Sequence, residues 1–290
     1  MRIAVCVKQA IDPTIVRFNI ETSSIEYIYY EMDSVDESAL SEAIRIRQRI
    51  SGAEVIAITL GPPRAEELLR TCLKKGADEA IHLCDQAFNN LDVYSTSIVL
   101  AKLIARLQCD LILCGKESAD EGNAFMGAGI AEWLNLPLVT AVTEVDILGD
   151  RNAAIVRRRV KGGDREVVQS SLPAVLTIDG ISCKRIYPKL RTVLAGLKKE
   201  ITKLDAGSLG IDVGSIEPRI VVLSISQPKS RLKKGMTIDS NLPPAERIKL
   251  ILSGGLQQKG AKTVEKPPEA SAAEIIQFLI DNRIISKVGG

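Results

Sequence analysis

The sequence predicts an α/β fold: a doubly wound, mostly parallel, Rossmann-like sheet with an added antiparallel β layer and an extended C-terminal arm. Three observations predict it. Nearly continuous apolar runs of strand length, RIAVCV, EVIAIT, EAIHLC and DLILCG, read as strands buried on both faces. Amphipathic stretches of helical period separate them, and that alternation implies right-handed crossovers. Of the 290 residues 46% are hydrophobic but only 3% aromatic, a mix of Ala, Val, Ile and Leu that suits packed α/β layers rather than a sandwich.

Taken in order, Arg2 to Val7 is a strand that passes into a turn, Lys8 to Thr14, where a strand end can meet a ligand. Residues 15 to 30 read as a short hairpin about Thr22 to Ser24. Asp33 and Ser34 offer caps for a helix from about Val35 to Ile50, striped by Ala39, Ala43, Ile46 and Ile50. The strand EVIAIT, 54 to 59, leads into LGPPRAEELLRTCLKKGA, a Gly-Pro turn and a proline-led helix. After EAIHLC, Asp92 begins an amphipathic helix through Leu107.

Residues 111 to 127, LILCGKESADEGNAFMG, organise the rest. The strand Leu111 to Cys114 ends at Gly115, and a polar turn enters a helix marked by Met126, Ile130, Trp133 and Leu134. Free N–H groups at such a helix start attract phosphate. Asp120 or Asn123 is the expected cap, and Gly122 and Gly127 allow another group close to the backbone. An ordinary βα loop accounts for the stretch equally well. Because ligands of doubly wound sheets sit outside the carboxyl ends of the strands, the turns after Val7, Thr59 and Cys114 are expected to be neighbours.

From Thr140 to Asp179 the runs AVTEVDI, AAIVRRRV, REVVQSS and PAVLTID predict a three- or four-stranded antiparallel layer, continuous with the first sheet or packed beside it, and the short run LPLVTAV precedes it. Residues 180–199 hold a loop and a basic short helix. The segment 200–240, with RIVVLSI (219 to 225) as its one strand, is poor in apolar residues and reads as an arm that needs a partner surface. AERIKLILSG is a short helix and Ala270 to Asn282 a closing one. The expected division is a domain at 1–199 and an arm with its C-terminal helix at 200–290.

Lys plus Arg number 38 and Asp plus Glu 36, a net charge of +2 that gives no field for nucleic acid or an anionic membrane. The basic run Arg157 to Lys161 reads as a solvated strand edge. Six cysteines, at 6, 72, 84, 109, 114 and 183, form no CxxC pair, and the lone histidine, His82, lies in a strand-like run as a core residue. A histidine-based triad or metal site is therefore not expected. With no signal peptide and no run of membrane-spanning length, a soluble cytoplasmic protein is expected. GAGIAEW from Gly127 lacks the third glycine of a dinucleotide fingerprint, CGKES lacks the first glycine of a P-loop, and LSGGLQQ, Leu252 to Gln258, reads as a helix end. The residues alone describe a nucleotide-binding-type domain without evident catalytic apparatus.

Five blocks, in order along nearly the whole chain, resemble the beta subunits of electron transfer flavoproteins. They are VKQAID, MDSVDESALSEAIRIR, LGPPRAEELLRTCLKKGADEAIHL, GKESADEGNAFMGAGIAEWLNLP, and LPAVLTID followed by RIYPKLRTVLAGLKKEI. The resemblance implies a heterodimer whose alpha subunit holds an FAD near the interface, and a beta subunit that binds AMP or, in electron-bifurcating members, a second FAD. Electrons pass from or to a flavin dehydrogenase such as an acyl-CoA dehydrogenase, so the flavin carries the chemistry and no acid/base set is needed. Carried over, Val7 and Lys8 line the adenine and ribose side, and Leu60 and Gly61 sit on the neighbouring turn. Gly115, Asp120, Glu121, Gly122, Asn123, Ala124, Met126 and Gly127 form the phosphate loop. Leu190 takes the place of the leucine that anchors the recognition loop, 182–199, in the dehydrogenase, and the arm wraps the alpha subunit.

Leu60 stands where AMP-type members carry cysteine, and Ala124 and Met126 where they carry Asn and Thr; with GPP and Ala65 these lean toward FAD. Glu121 and Gly122 depart from the Gly-Asp pair of bifurcating members, Asp33 and Ser34 from the usual Asn-Pro, and Pro13 stands where some members place a tyrosine. Phe125 replaces a glutamine and can crowd or stack on a ligand. The rival readings are a paralogue serving a membrane quinone pathway and a non-redox AMP- or ATP-binding regulatory protein of the same superfold. An ATP pyrophosphatase would need an SGG loop after the first strand, which Lys8 to Thr14 lacks.

Overall fold

The computed structural model describes residues 1–12, 14, 15, 17–19, 22, 24–26, 29–89, 91–149, 151–180, 186–221, 223, 243–252 and 267–281. β1 (Arg2–Cys6) enters the centre of the sheet at once. β2 (Gln9–Ile11), β3 (Arg17–Asn19), β4 (Ser24–Glu26) and β5 (Tyr30–Met32) are short; β3 and β4 pair antiparallel, as the expected hairpin, and β2 pairs with β5. α1 (Ser34–Arg49) starts beneath Asp33, whose carboxylate accepts the Val35 N–H at 2.9 Å. Acidic Asp36 and Glu37 in its first turn and basic Arg47 and Arg49 in its last complement the helix dipole.

β6 (Glu54–Leu60) leads through a single 3-10 turn, Pro63–Ala65, into α2 (Glu66–Lys75), which stops at Gly76 with φ 123°. β7 (Glu79–Leu83) precedes α3 (Val93–Leu107), capped by Asp92, which accepts the Ser95 N–H at 2.8 Å. β8 (Leu111–Gly115) and α4 (Met126–Leu134) follow, then β9 (Leu138–Ile147), β10 (Ala153–Arg159), β11 (Arg165–Ser171), β12 (Ala174–Ile178), α5 (Leu190–Lys198), β13 (Thr202–Leu204) and the single-turn α6 (Ala206–Leu209).

Nine of these strands form one sheet in the order β11-β10-β9-β12-β8-β1-β6-β7-β13. All pairings from β9 to β13 are parallel; β10 pairs antiparallel with both its neighbours. Alternate residues of each central strand feed opposite cores. Ile3, Val5, Leu111 and Leu113 pack with α1 and α2, while Ala4, Cys6, Ile112 and Cys114 pack with α3 and α4. Two covered faces are the reason these strands read as unbroken apolar runs.

Several readings are corrected. PAVLTID is not part of the antiparallel layer: β12 lies parallel between β8 and β9, and that layer is β9, β10 and β11, continuous with the main sheet. LPLVTAV and AVTEVDI are one strand, β9. The basic run lies on β10, an inner strand rather than an edge, where Arg157, Arg158 and Arg159 pair with Glu144, Glu166 and Asp179. Residues 219–221 adopt no strand; the rest of RIVVLSI apart from Leu223 lies outside the described residues. Instead β13 adds to the sheet edge against β7, and Ala206, Leu209 and Ile211 are buried beside it.

Contacts divide the chain into Met1–Gln227 and Pro228–Gly290. In the second unit the described residues form α7 (Pro244–Leu252) and α8 (Pro268–Asp281), and α8 exposes Ile275, Ile276 and Phe278. Pro13, residues 182–185 of the recognition loop and most of LSGGLQQ lie outside the described residues. Among the described residues no helix is long and apolar enough to cross a membrane.

Candidate functional site

The winding of the sheet reverses at β1: the chain runs outward through β6 and β7, then returns to β8 on the other side. Strand ends diverge at such a point and leave a crevice. A cavity of about 480 Å³ opens there, lined by the ends of β1, β6 and β8 and the first turns of α3 and α4. Ile58, Phe88 and Leu100 form its buried apolar side with Leu60, Leu91, Val93 and Met126, and Lys8, Arg64, Lys116 and Glu121 its polar side. The volume lies within the range of about 300–1,000 Å³ typical of small-molecule sites.

Asp36 of α1 and the helix's cap, Asp33, shape the polar side. Asp36, 8% exposed, accepts the Lys8 N–H at 2.7 Å through one oxygen and the Gly115 N–H at 2.9 Å through the other. Burial pushes its carboxyl up to about 7, although both N–H groups favour the charged form. Asp33 accepts the Ala119 N–H at 2.6 Å, so the turn after β8 is tied to the start of α1. The thiols of Cys6 and Cys114 are neighbours in the wall; the hydrogen bond that the Cys114 thiol makes with Cys6, together with burial, pushes Cys114 up and leaves it neutral.

Lys8 reaches across the turn, with Nζ 2.8 Å from Asp120 and 3.2 Å from Glu121. Burial opposes ionisation of Asp120, yet the hydrogen bonds from Lys8 and Ser118 outweigh it and hold the carboxyl below its ordinary value. Neither Asp120 nor Asn123 caps α4. Asn123 donates to Glu121 at 3.0 Å, and the helix starts after Phe125 without a side-chain cap. Gly122 at φ 61° and Ala124 at φ 51° turn the chain into that helix. An uncapped helix start facing a polar cavity side fits an anion such as phosphate.

Of the residues singled out by sequence, Val7, Lys8, Leu60, Gly61, Gly115, Glu121, Asn123, Ala124 and Met126 line this one cavity, and Phe125 lines it too. Asp120 joins it through Lys8. Gly122 is exposed in the turn, with nothing near the place of a Cβ. Gly127 faces β12 instead: a Cβ there would fall on the Thr177 methyl group. The close approach it permits is that of α4 to the sheet. His82 is buried, with Nε2 3.0 Å from the Gly61 carbonyl oxygen, and so supports the neighbouring turn.

Sequence reasoning missed Asp36, Arg64 and the wall from Phe88 to Leu100. In the sequence Asp36 is indistinguishable from any acid of a first helical turn. The Phe88–Leu100 wall had one usable signal, the start of a capped helix just beyond a strand end.

A family model described as electron transfer flavoprotein domain matches residues 25–209. The chain belongs to the electron transfer flavoprotein family. It is 34% identical to the electron transfer flavoprotein subunit beta of Thermoanaerobacterium thermosaccharolyticum over 92% of this chain and 97% of that protein. It is 33% identical to protein FixA of Azotobacter vinelandii over 90% of this chain and 99% of that one. With the caffeyl-CoA reductase-Etf complex subunit CarD of Acetobacterium woodii it shares 39% identity over 61% of this chain and 68% of the relative. Electron transfer, on the beta-subunit side of this flavoprotein family, is its function.

This electron transfer flavoprotein chain carries a second feature away from the cavity. Leu190 opens α5 with 74% of its surface exposed, and Leu194 and Leu197 continue an exposed apolar stripe at helical spacing. The helix is seated firmly: Arg70 donates to the carbonyl oxygens of Gly196, Leu197 and Lys199, and Gly196 lies so close to α2 that a Cβ would strike the Leu73 backbone.

Proposed function

We propose that the cavity at the ends of β1, β6 and β8 holds the adenine end of a nucleotide, FAD in preference to AMP, and that an alpha subunit carries a further FAD near the interface. The observation that carries the reading is the meeting of a buried apolar wall with an uncapped helix start at the sheet's switch point. Phe88, Leu91, Val93 and Leu100 fit a planar base, and the start of α4 with the turn at Glu121–Ala124 fits phosphate. Leu60, Ala124 and Met126 present apolar or small surfaces that suit the longer ligand. Bound flavin supplies one- or two-electron chemistry. The chain's own part is to seat it, keep water from its apolar side and present a docking surface.

The exposed stripe headed by Leu190 serves as the contact for a flavin dehydrogenase, an acyl-CoA dehydrogenase being the leading class; an apolar knob on a small surface suits an encounter that must release quickly. The name of the Acetobacterium relative, which includes a caffeyl-CoA reductase, supports a CoA-linked partner. The segment beyond residue 199 contacts the alpha subunit, the exposed Ile275, Ile276 and Phe278 of α8 being apolar surface for it. The heterodimer works in the cytoplasm. Denaturing release of cofactors from the co-produced heterodimer tests the ligand: two FAD per heterodimer support the reading, and one FAD with one AMP overturns the preference for FAD.

A further inference from the structure

We infer that Arg64 gives this cavity a second phosphate contact and so selects a dinucleotide over a mononucleotide; the inference rests on the nucleotide reading above and deepens it. Three basic side chains line the cavity: Lys8, Arg64 and Lys116. Two are already engaged by carboxylates, Lys8 by Asp120 and Glu121, and Lys116 by Glu117 at 3.3 Å. Arg64 is different. Among the described residues it has no carboxylate within ion-pair distance, and its guanidinium lies over the Tyr30 ring, 4.2 Å from the centroid. Stacking occupies the face of a guanidinium and leaves its N–H edge, the edge that pairs with phosphate oxygens, available.

The position of Arg64 is set by its surroundings. It follows Gly61, Pro62 and Pro63, a turn with little backbone freedom, and sits in the 3-10 turn that leads into α2. Its carbonyl oxygen accepts from Gln9 Nε2 at 3.4 Å. β6 and β8 flank β1 on opposite sides, and both Arg64, in the turn after β6, and Met126, at the uncapped start of α4 after β8, line the cavity. A monophosphate can engage one of these two places. A pyrophosphate, with two charged groups in series, can engage both.

The test uses the heterodimer after removal of its exchangeable nucleotide, with FAD and AMP as separate probes in equilibrium binding to wild type, Arg64→Gln and Arg64→Lys. Arg64 is exposed, so the variants are expected to fold. Arg64→Gln should weaken FAD by about tenfold to a hundredfold, the range of a charge-assisted hydrogen bond, and AMP by less than about twofold. Arg64→Lys should fall between, since charge remains but the planar fork is lost. Unchanged FAD affinity in Arg64→Gln, or equal losses for both nucleotides, would overturn the inference. Wild-type heterodimer that takes up neither probe would instead overturn the cavity reading itself, and this inference with it.

Discussion

The carboxylate of Asp36 occupies the space that a side chain on residue 115 would need: Oδ1 accepts the Gly115 N–H at 2.9 Å, and a Cβ on Gly115 would fall on that oxygen. One helix acid thus fixes the ends of two neighbouring strands, because its other oxygen holds the Lys8 N–H. Gly115→Ala should destabilise the fold by about 2 kcal/mol or more, the usual scale of overpacking, and loosen nucleotide in the cavity. Chemical denaturation with a retention assay checks it; a variant as stable as wild type would show that the carboxylate is free to move aside.

Asp36 should also leave a mark on the pH dependence of stability. Its folded pKa, raised to about 7 by burial, lies above the unfolded value of 3.8, so the folded state binds the proton more tightly. Stability contributed by this group is therefore full below about 4 and falls as pH rises toward 7, by something on the order of 2–4 kcal/mol. Asp36→Asn should flatten that slope. It should also weaken the strand-end tie, because the amide presents a donor to one of two N–H groups. Denaturation curves across pH 4 to 8 give the answer, and identical slopes in the two proteins would contradict the assignment.

Gly127 and Thr177 form a tight contact between α4 and β12. Gly127→Ala should cost about 1–3 kcal/mol. Thr177→Ser, which removes the methyl group but keeps the hydroxyl that accepts the Ala141 N–H at 3.2 Å, should recover part of that loss in the double variant. A double-mutant cycle without favourable coupling would place the strain elsewhere.

Leu190→Ala should leave stability within about 0.5 kcal/mol of wild type, as an exposed side chain does, and leave bound cofactor unchanged. Reduction of the heterodimer by its dehydrogenase should slow several-fold. Stopped-flow traces that match wild type would remove Leu190 from the docking surface.

Most of the fold was legible because the central strands carry their burial in their composition. Ile3 to Cys6 and Leu111 to Cys114 are apolar at every position because both faces are covered. Sheet partners were not legible: PAVLTID reads the same whether β12 joins an antiparallel layer or inserts parallel beside β8. β13 escaped because three residues, Thr202 to Leu204, two of them exposed, carry no period, and only pairing with β7 makes them a strand. At the cavity, the turns after β1, β6 and β8 were foreseeable from topology. Asp36 was not, since its partners are backbone N–H groups of Lys8 and Gly115, 28 and 79 residues away. Cap assignment failed at α4 for a similar reason: Asp120 has the composition of a cap, but Lys8 holds it.

A photoreactive adenine held in this cavity lies within reach of its lining residues. The most direct measurement is photolabelling of the heterodimer with an azido-adenine analogue of its nucleotide, followed by peptide mapping. Label is expected on the peptides that carry Phe88, Leu91 and Leu100 and on those that carry Lys116 to Met126, suppressed by excess unlabelled nucleotide. Suppressible label confined to the alpha subunit, or to other beta-subunit peptides, would contradict the nucleotide reading of this cavity.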